Sequence, residues 1–191
     1  MRPKLERRDM TERGNPKTFE IITQYKVEEL VFCSDEPTDL RAIIAIHNTT
    51  LGPAVGGTRM WNYNSEEEAL IDVLKLSENM VYQSAISGCD FGGGKAILWG
   101  DPKSHKSEEY FRVYGRFIEG LHGRLITYPD LGTDDFDLSY VRRETNYTLY
   151  LTDEEGKRIS TAKVTAMGVL YGIKACLKEI FGTSSLGERK I

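Results

Sequence analysis

The sequence predicts an α/β fold with a mixed, largely parallel sheet flanked by helices. Three observations predict it. Apolar segments of strand length alternate with amphipathic segments of helical period, the pattern of strands joined by helical crossovers. The run RAIIAIH (41–47) is almost continuously apolar, as in a strand covered on both faces. Two strand-like segments follow one another near the start, which places some antiparallel pairing there.

The elements read as follows. A short helix over Thr18 to Tyr25 precedes a strand at VEELVFC (27–33), and SDEPTD has the chemistry of a turn before RAIIAIH. LGPAVGGTRMW (51–61) reads as a Gly-rich segment. Ser65 with Glu68 fits a capping box, and Leu70, Val73, Leu74 and Ser77 recur at helical spacing, so a helix is expected to about Ala85. GGGKAILWG (92–100) returns to strand character. In SEEYFRVYGRFIEGLHG (107–123) the stripe Tyr110, Val113, Tyr114, Phe117 and Leu121 predicts a second helix, with Gly123 placed to cap it. A strand over RLITYPD (124–130), a short helix around Asp134 to Arg143, a strand at NYTLYL (146–151) and a long helix from Val164 to Phe181, closed by Gly182, complete the reading.

Residues 1–16 read as a charged, poorly ordered tail and residues 17–191 as one domain, since no repeat or low-complexity linker interrupts them. The chain is 191 residues long, 40% hydrophobic and 28% charged, with a net charge of −4. That balance argues against nucleic acid, whose phosphates call for a basic surface. No apolar run approaches the ~20 residues that span a bilayer, so no membrane partner is expected. The N-terminus lacks an apolar h-region, and Glu6, Asp9 and Glu12 spoil it as an organellar presequence, which points to a cytoplasmic protein. Cys33, Cys89 and Cys176 form no C-x-x-C pair and read as free thiols. His47, His105 and His122 are separated and have no metal or triad spacing, so no metal site is expected. Trp61 and Trp99 read as core or subunit-contact residues, and Glu66 to Glu68 as a helix's first turn.

GCDFGGGK (88–95) invites comparison with a phosphate loop and fails it. From Gly88 to the Gly94-Lys95 pair the spacing is one residue too long, and Ala96 stands where Ser or Thr belongs. G-x-G-x-x-G fails too, because its last position is Ile97. Physically, Gly92 to Gly94 remove every side chain over about ten ångströms of backbone before Lys95, so a small molecule could approach the main chain beneath one ammonium group. Gly56-Gly57 and Asp130 would complete a small polar pocket. Turn glycines beside a solvated lysine are the other reading of the same residues.

Four blocks, HNTTLGPAVGGTRMW (47–61), FGGGKAILWGDP (91–102), FRVYGRFIEGLHGRLITYPDLGT (111–133) and VTAMGVLYGIKA (164–175), resemble consecutive blocks of the Glu/Leu/Phe/Val amino-acid dehydrogenases, closest to the leucine and phenylalanine enzymes. The resemblance spans about residues 19–190 and implies the family's substrate-binding and dimerisation domain without a Rossmann domain. It places Lys95 as the catalytic lysine and Asp130 as the proton-transferring aspartate. Gly56 and Gly57 would line the amino-acid pocket with backbone, and Thr165 would stand near the nicotinamide. The implied reaction is reversible oxidative deamination of an L-amino acid to a 2-oxo acid, with NAD as hydride acceptor.

This sequence departs from the family at several points. The family's carboxylate-holding lysine is replaced by Gln83, and a neutral amide bonds a carboxylate about half as strongly as a cation does. LYLTDEEGKRISTAK (149–163) replaces a small-residue pocket wall, and Tyr128-Pro129 alters the approach to Asp130. No dinucleotide fingerprint follows, so NAD belongs to the family and is not expected to bind this chain alone. The expected partners are an amino acid or 2-oxo acid and further copies of the chain in a homo-oligomer. Two alternatives stand beside the dehydrogenase reading: a non-catalytic, oligomerising relic, and a cofactor-free reaction run by Lys95 and Asp130. With Gln83 neutral and Asp130 close, Lys95 is expected to stay protonated, in an ion pair.

Overall fold

The computed structural model describes residues 18–150, 152, 154–155, 157 and 159–187, which fall into two units divided between Thr148 and Leu149. The segment read as a charged tail, residues 1–16, lies outside the described residues. In the first unit α1 (Thr18–Tyr25) leads to β1 (Glu29–Asp35), β2 (Leu40–Asn48), β3 (Ala54–Trp61), α2 (Glu66–Ile86), β4 (Gly92–Trp99), α3 (Glu108–Glu119), β5 (Leu125–Pro129) and α4 (Asp135–Val141). The second unit is built on α5 (Thr161–Phe181).

The five strands lie in the order β1-β2-β4-β3-β5. β2 is antiparallel to both β1 and β4, while β3 runs parallel to β4 and β5, so β2 alone opposes the common direction. The mixed, largely parallel sheet is as expected. From β3 the chain steps through α2 to β4, then returns through α3 past β3 to β5. Right-handed crossovers in opposite directions put their helices on opposite faces of a sheet, and two separate cores result. Ala42, Ile44, Ile46, Ala96, Leu98 and Met60 pack with Tyr110, Phe111, Tyr114 and Ile118 beneath α3, while Ile43, Ala45 and Ile97 pack with Ala69, Val73 and Leu74 beneath α2. β2 is buried on both faces by this arrangement.

Local chemistry sets the helix ends. Ser65 accepts from the Glu68 amide as read from sequence, while the Glu68 carboxylate reaches the Asn64 amide, one residue before the cap. Ser107 caps α3 in the same way, and Asp134 with Asp137 makes a full capping box on α4. At the end of α5, Gly182 takes the left-handed conformation, φ 72°.

Three sequence expectations are corrected. LGPAVGGTRMW contains the strand β3, whose glycines hid it: a Cβ on Gly56 would lie 1.8 Å from the Gly94 carbonyl oxygen, so the close approach of β4 requires glycine there. α3 ends at Gly120, and Gly123 serves the turn beyond it, φ 81°, under the Tyr147 ring. Among the described residues of 146–151 the expected strand is reduced to a single bridge, Thr127 to Thr148.

Candidate active site

Side chains alternate across a strand, and that alternation builds the site. Ile97 faces α2, so Lys95 on the same strand faces α2 as well. On β3, Thr58 bonds the Tyr114 hydroxyl of α3 at 2.6 Å, which turns Gly57 and Arg59 toward α2. Asp130 directly follows β5, at a turn in which the Thr133 hydroxyl accepts from the Asp130 amide at 3.0 Å and donates to the Thr58 carbonyl at 2.7 Å.

These elements bring Lys95 and Asp130 together. Lys95 is only 4% exposed, and its Nζ donates to Asp130 Oδ2 at 2.7 Å. Gly57 makes room for the pair, because a Cβ there would lie 2.8 Å from Asp130 Cβ and 3.3 Å from Lys95 Nζ. Gly56 faces the other side of the sheet, and its carbonyl accepts from the Thr127 hydroxyl at 3.0 Å. Gln83 is an exposed residue of α2, one turn beyond Met80, whose sulfur meets the Tyr128 hydroxyl at 3.5 Å. Thr165 is an exposed residue of α5, in the second unit.

Gly92 to Gly94 behave differently from the open main chain read in the sequence. Cβ atoms on them would meet the Asn48 carbonyl oxygen at 2.0 Å, the Val81 amide nitrogen at 2.3 Å and Leu125 Cδ1 at 2.8 Å. Protein atoms already fill the space, so these glycines serve packing and do not fit as a cradle for a dinucleotide's phosphates.

Sequence reasoning missed Arg59. Its Nε donates to Asp130 Oδ2 at 3.2 Å, and its Nη1 spans both oxygens of Asp72 at 2.9 and 3.3 Å. Tyr63 donates to Asp72 Oδ2 at 2.7 Å. Arg59 stands inside the 47–61 block but was given no role there; its signal was its position, two residues after Gly57 on a strand that the glycines concealed. Burial, the largest influence, drives Lys95 below the ordinary lysine value; Asp130 opposes the shift and Arg59 adds to it. The expected ion pair with Asp130 is present and Asp130 pulls the ammonium upward, but burial outweighs it, and Arg59 supplies a positive charge close by that the sequence reading did not contain. Burial alone would raise the Asp130 carboxyl, but Lys95 and then Arg59 outweigh it and hold it below the usual carboxylate range.

Of the histidines, His47 packs on the Ser77 hydroxyl at 3.2 Å, the His105 ring accepts from the Asp101 amide at 3.0 Å, and His122 is exposed. Trp99 donates its indole N–H to the Tyr63 carbonyl at 2.9 Å, whereas Trp61 stays 47% exposed. Cys33 is buried, which pushes its thiol up to about 11, while Cys89 and Cys176 are exposed. Among the described residues no helix is long and apolar enough to cross a membrane.

Fold and site together define a class: a mixed α/β domain that carries a buried, glycine-flanked lysine–aspartate pair at the end of a parallel strand. The chain belongs to the Glu/Leu/Phe/Val dehydrogenase family, whose dimerisation-domain model matches residues 26–147. It is 49% identical over 168 residues to a leucine dehydrogenase of Geobacillus stearothermophilus, covering 88% of this chain and 46% of that protein. A phenylalanine dehydrogenase of Caldalkalibacillus thermarum is 46% identical over 172 residues, covering 90% of this chain and 46% of that one. The crystal structure of L-tryptophan dehydrogenase from Nostoc punctiforme matches with a TM-score of 0.69 at 38% identity, over 88% of this chain and 47% of that chain. Hetero-hexameric glutamate dehydrogenase from Thermus thermophilus matches with a TM-score of 0.66 at 20% identity, over 80% and 41% of the two chains, a likeness of fold alone. The chain spans about half the length of the relatives it matches.

Proposed function

We propose that this chain forms the amino-acid-binding half of an NAD-dependent dehydrogenase of the leucine/phenylalanine type, which deaminates an L-amino acid oxidatively to a 2-oxo acid. The observation that carries the reading is the buried Lys95 Nζ at 2.7 Å from Asp130 Oδ2, the pair packed close over Gly57, which has no side chain to displace it. A lysine must approach neutrality to act as a base, and burial moves Lys95 that way. In this reading Lys95 polarises the substrate carbon and its attacking water, and Asp130 passes the proton. Gly92 to Gly94 are filled by packing, so in this reading NAD would be held outside that loop and would accept the hydride.

Gln83 sets the expected affinity. The unmodified chain should bind L-leucine, L-phenylalanine and their 2-oxo acids weakly, and Lys95→Ala should abolish binding. Gln83→Lys should tighten it about tenfold by exchanging a neutral bond for a charge-assisted one. Ligand-detected NMR and calorimetry measure all three, with NAD alone expected to show no saturable binding. The reading fails if neither the natural chain nor Gln83→Lys takes up any of these acids.

Self-association is the expected state. Trp61 remains half exposed, and α5 in its own unit exposes Val169, Tyr171, Ile180 and Phe181. Apolar surface of this kind seeks cover. Sedimentation should show a dimer or larger species, and a monomer at high micromolar concentration would remove oligomerisation from the proposal.

A further inference from the structure

Sequence reasoning located one charge-bearing pair, but the structure contains a longer chain of charge. Lys95, Asp130, Arg59 and Asp72 alternate in sign, and the Tyr63 hydroxyl closes the series. Both side-chain cations meet Asp130 on the same oxygen, Oδ2, at 2.7 Å from Lys95 and 3.2 Å from Arg59. A proton on Oδ2 would have to displace two charged donors, and charge-assisted bonds are about twice as strong as neutral ones. Oδ1 is therefore the oxygen on which Asp130 can carry a proton.

Arg59 is itself held. Its Nη1 is fixed by both oxygens of Asp72, on α2, and its planar fork leaves the Nε–H directed at Asp130. Asp72 is in turn held by Tyr63, whose hydroxyl burial, first, and the bond to Asp72 push well above the ordinary tyrosine value, so it stays a donor. The Trp99 indole anchors the Tyr63 backbone at 2.9 Å. Each link is more constrained than a solvated ion pair: the Arg59 and Asp72 side chains are 22% and 28% exposed.

We infer that Arg59, clamped by Asp72 and Tyr63, is a positioning residue for the Lys95–Asp130 pair: it fixes Asp130 through Oδ2, leaves Oδ1 as the proton-carrying atom, and supplies the second positive charge that Gln83 does not. This rests on the reading of Lys95 and Asp130 as the reacting pair, and it adds to that pair a residue of the 47–61 block to which the resemblance gave no role.

The test uses the full chain without substrate and follows the Lys95 ammonium and the Asp130 carboxyl by NMR across pH. Arg59→Met removes a cation from both groups, so both titrations should move upward together. Asp72→Asn removes an anion and commits Arg59 to Asp130, so both should move downward. A purely structural role for the network would lower the melting temperature of both variants and leave the titrations in place, which overturns the inference. So does a shift of the same sign in both variants. If Arg59→Met does not fold, Asp72→Asn decides alone: a downward shift of both groups supports the positioning role, and no shift or an upward one refutes it. These readouts need no ligand, so the proposed catalytic reading can fail in the binding experiments while the positioning role stands, and the reverse.

Discussion

Asp130→Ala should destabilise the chain by about 3 kcal/mol, as removal of one member of a buried ion pair does. The reason is the inequality of the two partners. Lys95 has a side chain 5% exposed, whereas that of Asp130 is 28% exposed. Removing Asp130 leaves a dry ammonium beside the Arg59 guanidinium. Removing Lys95 leaves a partly hydrated carboxylate still paired with Arg59 at 3.2 Å. Lys95→Met should therefore cost clearly less than Asp130→Ala. Acidity separates the contributions further. The Asp130 carboxyl is held low in the folded chain, so its contribution is fully present above its unfolded value of about 3.9 and is lost as pH falls through the folded one. The Lys95 ammonium is also held low, so the folded state gives up that proton first and stability rises with pH between its folded and unfolded values. The Asp130→Ala defect should accordingly shrink when urea unfolding is repeated at alkaline pH. A loss under about 1 kcal/mol at neutral pH would show that the pair behaves as a solvent-screened bridge.

The second large effect belongs to Gly93. An alanine Cβ there would stand 2.3 Å from the Val81 amide nitrogen, 2.5 Å from Val81 Cγ2 and 2.7 Å from Val81 Cα. Two of those atoms are helix backbone, which no rotamer change relieves. α2 would have to lift from β4, loosening its own Val73 and Leu74, both fully buried on its sheet-facing side. Overpacking of this kind costs about 3 kcal/mol. Gly88→Ala provides the contrast five residues earlier. Nothing lies within 4 Å of its Cβ position, so only the left-handed backbone, φ +66°, opposes the change. That conformation costs a side chain about 1–2 kcal/mol. Chemical denaturation of both variants should give the larger loss at Gly93; equal losses would mean that α2 yields easily and that the glycine run is not a packing requirement.

How much of this was legible follows from the range of the forces involved. Helix starts at Ser65 and Ser107 depend on a hydroxyl and an amide three residues away, and the end of α5 depends on one glycine backbone, so a short window of sequence contains their cause. The two-sided burial of Leu40–Asn48 was legible for a similar reason, since a continuous apolar strand has no polar face to leave in water. Lys95, Asp130 and the neighbouring glycines were found as blocks resembling a family, and the fold brings Lys95, Asp130 and Gly57 within contact.

What the tertiary structure alone decided lies between residues far apart in the chain. β3 is a strand because β4 and β5 pair with it on either side, whatever the low strand preference of Gly56 and Gly57. Gly92 to Gly94 look open in sequence and are closed by Asn48, Val81 and Leu125, which three other elements deliver. Arg59 meets Asp130 across a separation of 71 residues, and no local pattern encodes that meeting. The direction of the Lys95 shift was decided there too. Composition can name the charges near a lysine, but desolvation depends on how much water the assembled sheet and α2 exclude, and that quantity exists only once the chain has folded.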